Sequence, residues 1–175
     1  MSFAISTDTS ANLPTAELQW HQLYLLPFSY IVDDVEHQCL DLTAFDGDAY
    51  YEMLRHTPAS TSMISMDQYR RLWEPLLQEG QDVLHVGMSS GISGAYQSAV
   101  MAARELREAY PDRRLVVFDT RAASLGEGIQ VLHAATCREA GYTLDETVRE
   151  LTELRPRIRQ IFTVDDLMHL RRGGR

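Results

Sequence analysis

The segment that most constrains this chain is Val83-Leu84-His85-Val86-Gly87-Met88, followed at once by Ser89-Ser90-Gly91-Ile92-Ser93-Gly94-Ala95-Tyr96-Gln97-Ser98-Ala99. The first run is short, apolar and bounded, as a buried strand is. Residues 89–98 then hold four serines and two glycines, and from about Gly94 to Tyr110 alanine and leucine recur on a helical period. Strand, hydroxyl-rich turn and helix in immediate succession make one arm of an α/β unit. A helix that starts at such a turn aims free backbone N–H groups and a partial positive charge at the loop. Hydroxyls beside those donors suit a phosphate or a carboxylate. Serine is also a preferred N-cap, so a simply capped helix satisfies the same pattern.

The same alternation runs through the chain. Strands are predicted at residues 3–7, 24–32, 83–88 and 115–119, with another beginning at 161–164. Helices are predicted at 15–22, 43–54, 67–78, 94–110, 124–140 and 144–154. Thr143 and Glu146 have capping-box spacing, and Gly141 stands where a helix C′ glycine belongs. Pro75 is expected to kink or break the helix that holds it. The order predicts an α/β fold with a mainly parallel sheet flanked by helices. Ligands of such sheets sit beyond the carboxyl ends of the strands, so the loops after Ser6, Met88 and Phe118 share one edge. Asp8 and Asp119 are read as ending adjacent strands there, with capping favoured over paired acid–base work. Asp33-Asp34 reads as a solvated turn between strands.

The chain has 175 residues and a net charge of −9, from 16 basic and 25 acidic residues. That balance argues against nucleic acid and against an anionic membrane surface, and no apolar run is long enough to cross a bilayer. All the basic residues are arginine, so neither a lysine Schiff base nor a P-loop lysine is available. Cys39 and Cys137 are far apart and not expected to be bridged, and no cysteine or histidine spacing suggests a metal. His85, inside an apolar strand, is expected to be packed and hydrogen-bonded.

Four further segments stand out: Thr7-Asp8-Thr9-Ser10-Ala11-Asn12-Leu13-Pro14, the hydroxyl-rich turn holding Thr61-Ser62-Met63-Ile64-Ser65, Val117-Phe118-Asp119-Thr120, and Leu167 to Arg175 ending in Arg172-Gly173-Gly174-Arg175. With residues 89–99 they resemble, in order, the landmarks of the DegV family, whose members include the fatty-acid-binding subunits of bacterial fatty acid kinase. The departures are the swapped order of Thr9 and Ser10, Ile64 in place of proline, Ile92 in place of leucine, and Ala95 in place of threonine. The last removes one hydroxyl from the serine loop.

The resemblance implies a DegV-type N-terminal domain over residues 1–157, divided at Arg155-Pro156-Arg157 from a fragment of the second DegV domain at 158–175. It implies a bacterial, cytoplasmic lipid-binding protein that is not itself an enzyme and carries no cofactor. A long-chain fatty acid is its ligand and a fatty acid kinase subunit its partner, and phosphoryl transfer belongs to that kinase. Thr61 and Ser93 are implied to hold the fatty-acid carboxylate, supported by Ser62 and the Gly94 backbone N–H. Neutral donors satisfy a buried carboxylate without a counter-charge. A homodimer through an exposed apolar face is a further expectation. Two other readings stay open: a small phosphate- or carboxylate-bearing ligand, and a serine hydrolase using Ser93. The hydrolase reading rests on Gly91-Ile92-Ser93-Gly94-Ala95, which misses the nucleophile-elbow pattern at its last residue, with His133 and His169 as candidate bases.

Overall fold

The computed structural model describes residues 3–38, 40 and 44–163. In chain order its elements are β1 (Ala4–Asp8), α1 (Thr15–Trp20), β2 (Leu23–Leu26), β3 (Ser29–Val32), β4 (Val35–Gln38), α2 (Gly47–His56), β5 (Ala59–Ser62), α3 (Met66–Gln78), β6 (Val83–Gly87), α4 (Ala95–Ala109), β7 (Leu115–Asp119), α5 (Leu125–Glu139) and α6 (Leu144–Leu154). Single 3-10 turns stand at Thr9–Ala11 and Arg155–Arg157.

The expected parallel sheet is present, four strands in the order β2-β1-β6-β7. Its pleat sends alternate side chains to two apolar layers. Ala4, Val83 and Leu115 pack with Tyr69, Trp73, Ala99 and Ala103 of α3 and α4. Ile5, Leu84, Val86 and Phe118 pack with Val131, Ala134 and Leu151 of α5 and α6. The close alanine face of α4 and the small residues of α5 let both helices lie directly on the strands.

Local chemistry sets the ends of these elements. Thr143 and Glu146 close the expected capping box at α6. Gly141, at φ +87°, ends α5 with the Tyr142 N–H on the Cys137 carbonyl and its own N–H on that of Arg138. α3 runs through Pro75 without a break, and Ser65 and Gln68 cap it reciprocally. Asp46 caps α2 through the Ala49 N–H at 3.0 Å, so that helix starts at Gly47, later than expected.

Three sequence expectations are corrected. The apolar run at 24–32 is two strands in two sheets. Pro27 has no N–H for a ladder, and the Phe28 N–H donates to Thr9 Oγ1 at 2.9 Å, so the chain leaves the parallel sheet there. The turn around Thr61 is in fact strand β5, paired antiparallel with β3 in a second sheet of order β4-β3-β5. Asp8 and Asp119 do not end adjacent strands, because β6 lies between β1 and β7. Asp33 and Asp34 do form the turn of the β3–β4 hairpin, both at positive φ, as a two-residue primed turn demands. Residues 161–163 are not a strand, and 164 lies outside the described residues.

Candidate functional site

The serine loop leaves the carboxyl end of β6 and is fastened from both sides. Asp8 Oδ2 accepts the Met88 N–H at 3.0 Å. Asp119 accepts the Ser90 N–H at 3.2 Å and the Ser90 hydroxyl at 2.6 Å. The Ser89 N–H donates to the Ala122 carbonyl at 2.8 Å, and the Ser89 carbonyl accepts from Ile92 and Ser93. Both strand-end aspartates therefore act as loop caps. Ser93, half-buried, stands at the start of α4, where its Oγ accepts the Ala95 N–H at 3.2 Å. Its hydroxyl hydrogen has no acceptor among the described residues, and neither does the Gly94 N–H. Capping and anion readiness thus coexist on one side chain.

Thr61 stands on β5 of the small sheet. It lies opposite Tyr30, which lies opposite His37, so the three share one face. The Tyr30 and His37 rings stack at 5.1 Å, and Tyr50 of α2 meets Tyr30 edge-on at 5.0 Å. Ser62 faces the other way, opposite the buried Ser29. Past the strand end, Met63 abuts Gly94: a Cβ there would lie 2.9 Å from Met63 Sδ. The structure therefore brings Met63, two residues past Thr61, against Gly94, while Thr61 and Ser62 take opposite faces of β5. Ile64 and Ala95, two of the departures, are both fully buried in the α3–α4 core layer. The exchange at Ala95 is thus a core substitution, and it takes no hydroxyl from the open face of the loop.

Met63, Ile92, Leu125, Ile161 and Phe162 are all exposed. Residues 158–163 return to the β7 loop, where Gln160 bonds both backbone groups of Ala123. Apolar side chains therefore rim the edge that presents Ser93. Two surface cavities of about 430 and 510 Å³ lie at the opposite, amino edge of the sheet, lined by Tyr110 and Arg113 and by Trp20, Tyr24 and Arg138.

Beneath the serine loop is a polar cluster that only partly announces itself in the sequence. Trp73 Nε1 donates to Ser6 Oγ at 3.0 Å, and Ser6 Oγ lies 3.1 Å from His85 Nδ1. His85 is buried, as expected, and burial pushes its imidazole down to about 3, so it is neutral. Asp8 and Glu127 are both buried with their carboxyl groups in hydrogen-bond contact. Burial pushes Asp8 above the usual carboxylate range, against the pull of the Met88 and Ser10 N–H groups. Burial, and then the charge of Asp8, push Glu127 much further up. The signal for Glu127 was a lone charge between Gly126 and Gly128 on an apolar helix. Among the described residues, no group of three or more histidine, cysteine or acidic side chains is arranged to hold a metal. No histidine bonds to Ser93 among them; His133 instead lies beside Cys137 and Glu150 on α5 and α6, and His169 is outside the described residues. Cys137 is a free thiol, and Cys39 is outside the described residues. No helix among the described residues is long and apolar enough to cross a membrane.

A family model described as an uncharacterised protein of the DegV family matches residues 2–175. The chain belongs to the DegV family. It is 33% identical over 176 residues to the DegV domain-containing protein YteA of Lactococcus lactis, covering all of this chain and 61% of that protein. The crystal structure of DegV, a fatty acid binding protein from Bacillus subtilis, superposes with a TM-score of 0.87 at 29% identity, over 100% of this chain and 61% of that one. A fatty acid binding DegV family protein from Streptococcus agalactiae gives 0.85 at 30% identity, again over 100% and 61%. This DegV chain thus spans about three fifths of the length of these relatives.

Proposed function

We propose that this chain binds a long-chain fatty acid, with the carboxylate held by the Thr61 and Ser93 hydroxyls and the Gly94 N–H. The observation that carries the reading is the apposition of the 61–63 segment and the Ser93–Gly94 turn through Met63, with donors on both sides free among the described residues. Ser62, on the other face of β5, supports the strand end, and direct contact falls to Thr61. The exposed apolar side chains at this edge suit an acyl chain, which contributes about 0.8 kcal/mol per buried methylene. The relatives described as fatty acid binding support the ligand class.

On this reading the protein is a cytoplasmic, bacterial carrier that presents its ligand to a fatty acid kinase subunit and performs no chemistry itself. Neutral donors favour that role, because a tightly paired cation would oppose handing the carboxylate over. Residues 1–157 form the carrier's α/β domain, and 158–175 begin the next one. His133, one of the two candidate bases, lies beside Cys137 and Glu150 instead of Ser93, which weighs against the hydrolase reading.

Native mass spectrometry of the protein purified from bacteria, with a thermal-shift series of saturated fatty acids below micelle-forming concentration, tests the proposal. A co-purified fatty acid and a midpoint that climbs with chain length support it; saturating ligand at a hundredfold excess over Kd adds about 2.7 kcal/mol. A shift with inorganic phosphate alone transfers the site to a small anion.

A further inference from the structure

Asp8 and Glu127 stand apart from the donors of the proposed carboxylate site, yet they sit under the loop that carries Ser93. Asp8 Oδ2 holds the Met88 N–H at the start of that loop, while Oδ1 holds the Ser10 N–H at 2.9 Å. Glu127 Oε2 accepts the Ser10 hydroxyl at 2.7 Å, and its Oε1 is 3.4 Å from the Thr7 hydroxyl. The two carboxyl groups are in contact, both are inaccessible, and no cation pairs with either among the described residues. Two buried like charges in contact cannot both persist. Nor can they move apart freely: a Cβ on Gly128 would lie 2.7 Å from the Ala11 carbonyl oxygen, so the start of α5 is pressed onto the turn that follows Asp8.

We propose that Asp8 and Glu127 hold one proton between them and act as a positioning pair, fastening the Ser93 loop only while Glu127 is protonated. This rests on the reading of Ser93 as a carboxylate donor. Glu127 donates its proton to Asp8, and Asp8, kept as the anion, accepts the Met88 and Ser10 N–H groups. Removing the proton sets two charges against each other, opens the contact and releases Met88. The ionisable groups facing the pair are Tyr69 of α3 and His85 of β6. The Tyr69 phenol is pushed up by burial and then by the two carboxyls, so it stays neutral. The His85 imidazole is uncharged, and a Cβ on Gly87 would meet both its Nε2 and Asp8 Oδ2. Neither supplies a compensating charge.

The sign follows from the raised native carboxyl. Stability from protonated Glu127 is complete below the ordinary glutamate range, declines as pH rises above it, and is gone once pH passes the native value. Glu127→Gln keeps the shape, an N–H toward Asp8 and an acceptor for Ser10, but cannot ionise.

The test uses the ligand-free chain. The Glu127 carboxyl carbon, followed by NMR, is expected to remain protonated at neutral pH. The Met88 amide is expected to lose about tenfold in exchange protection, relative to Val86 in β6, between neutral and strongly alkaline pH, the equivalent of one hydrogen bond. Glu127→Gln abolishes that loss. A Glu127 carboxyl that titrates with ordinary glutamates overturns the proposal even if the variant fails to fold, and so does a Met88 profile unchanged by the substitution. Palmitate affinity measured in parallel is expected to fall with rising pH in the wild type and to hold in Glu127→Gln. Palmitate that binds at no pH, beside the expected titration, sinks the carrier reading and leaves the positioning pair in place.

Discussion

Gly94→Ala is the sharpest probe of the joint between β5 and the serine loop. The backbone at Gly94, φ −68° and ψ −8°, accepts alanine without strain. The added Cβ would lie 2.9 Å from Met63 Sδ and 3.8 Å from Met63 Cε. Ordinary contact begins near 3.5–4.0 Å, so Met63 must give by roughly 1 Å, and the strand end it extends is expected to move with it. Met63 is 55% exposed and belongs to neither apolar core layer, so this displacement costs the fold under about 1 kcal/mol, including the weaker N-cap. The site is less forgiving. A separation of roughly 1 Å carries a hydrogen bond past its useful range and forfeits one charge-assisted contact, about 1.5–3 kcal/mol. Fatty-acid affinity should therefore fall about ten- to a hundredfold while the melting temperature moves by only about 2–4 °C. Met63→Ala in the same chain removes the obstacle and should restore most of the loss, a coupling of about 1 kcal/mol or more in a double-mutant cycle. Displacement of a fluorescent fatty acid, alongside thermal melts, reads both. Unchanged affinity in Gly94→Ala refutes the reasoning, as does a loss that Met63→Ala does not repair.

Thr61→Ala and Ser93→Ala should each weaken fatty-acid binding about ten- to a hundredfold with the fold intact, since each removes one hydrogen bond to a charged group; titration calorimetry in which neither changes affinity excludes the assignment. The apolar rim at Met63, Ile92, Leu125, Ile161 and Phe162 should drive self-association at micromolar concentration. Sedimentation velocity measures this, and a sharp monomer boundary throughout that range counts against a homodimer.

The parallel sheet was legible because its strands are short apolar runs between helices with clear signals: a capping box at Thr143 and Glu146, a terminal glycine at Gly141, a hydroxyl turn after Met88. The small sheet was not. β4 has no buried residue and β5 is Ala-Ser-Thr-Ser, so neither shows an apolar alternation. β5 exists because β3 offers it a partner, a long-range fact that no local window contains. At the site, Ser93 and Thr61 were visible as hydroxyls in recognisable motifs. That Thr61 and Ser62 point to opposite faces followed only from knowing that the segment is a strand. Glu127 could be suspected from its apolar surroundings, but its partner lies 119 positions earlier in the chain.

The two halves of the proposed site belong to bodies held with unequal strength. Among the described residues, none of 29–62 enters either apolar core layer. The small sheet and α2 are knit instead by the aromatic set of Tyr30, His37, Phe45, Tyr50 and Tyr51. A region with so little share in the main core opens at a small fraction of the global unfolding free energy. Thr61 rides on that region, whereas Ser93 is rooted in the main body. A carboxylate bound to both would act as a clasp, and part of its binding free energy would go into closing the lobe. Unloading would then require only that the lobe lift, with the parallel sheet left undisturbed. The lobe's amides should accordingly be the ones whose exchange slows most when ligand is added.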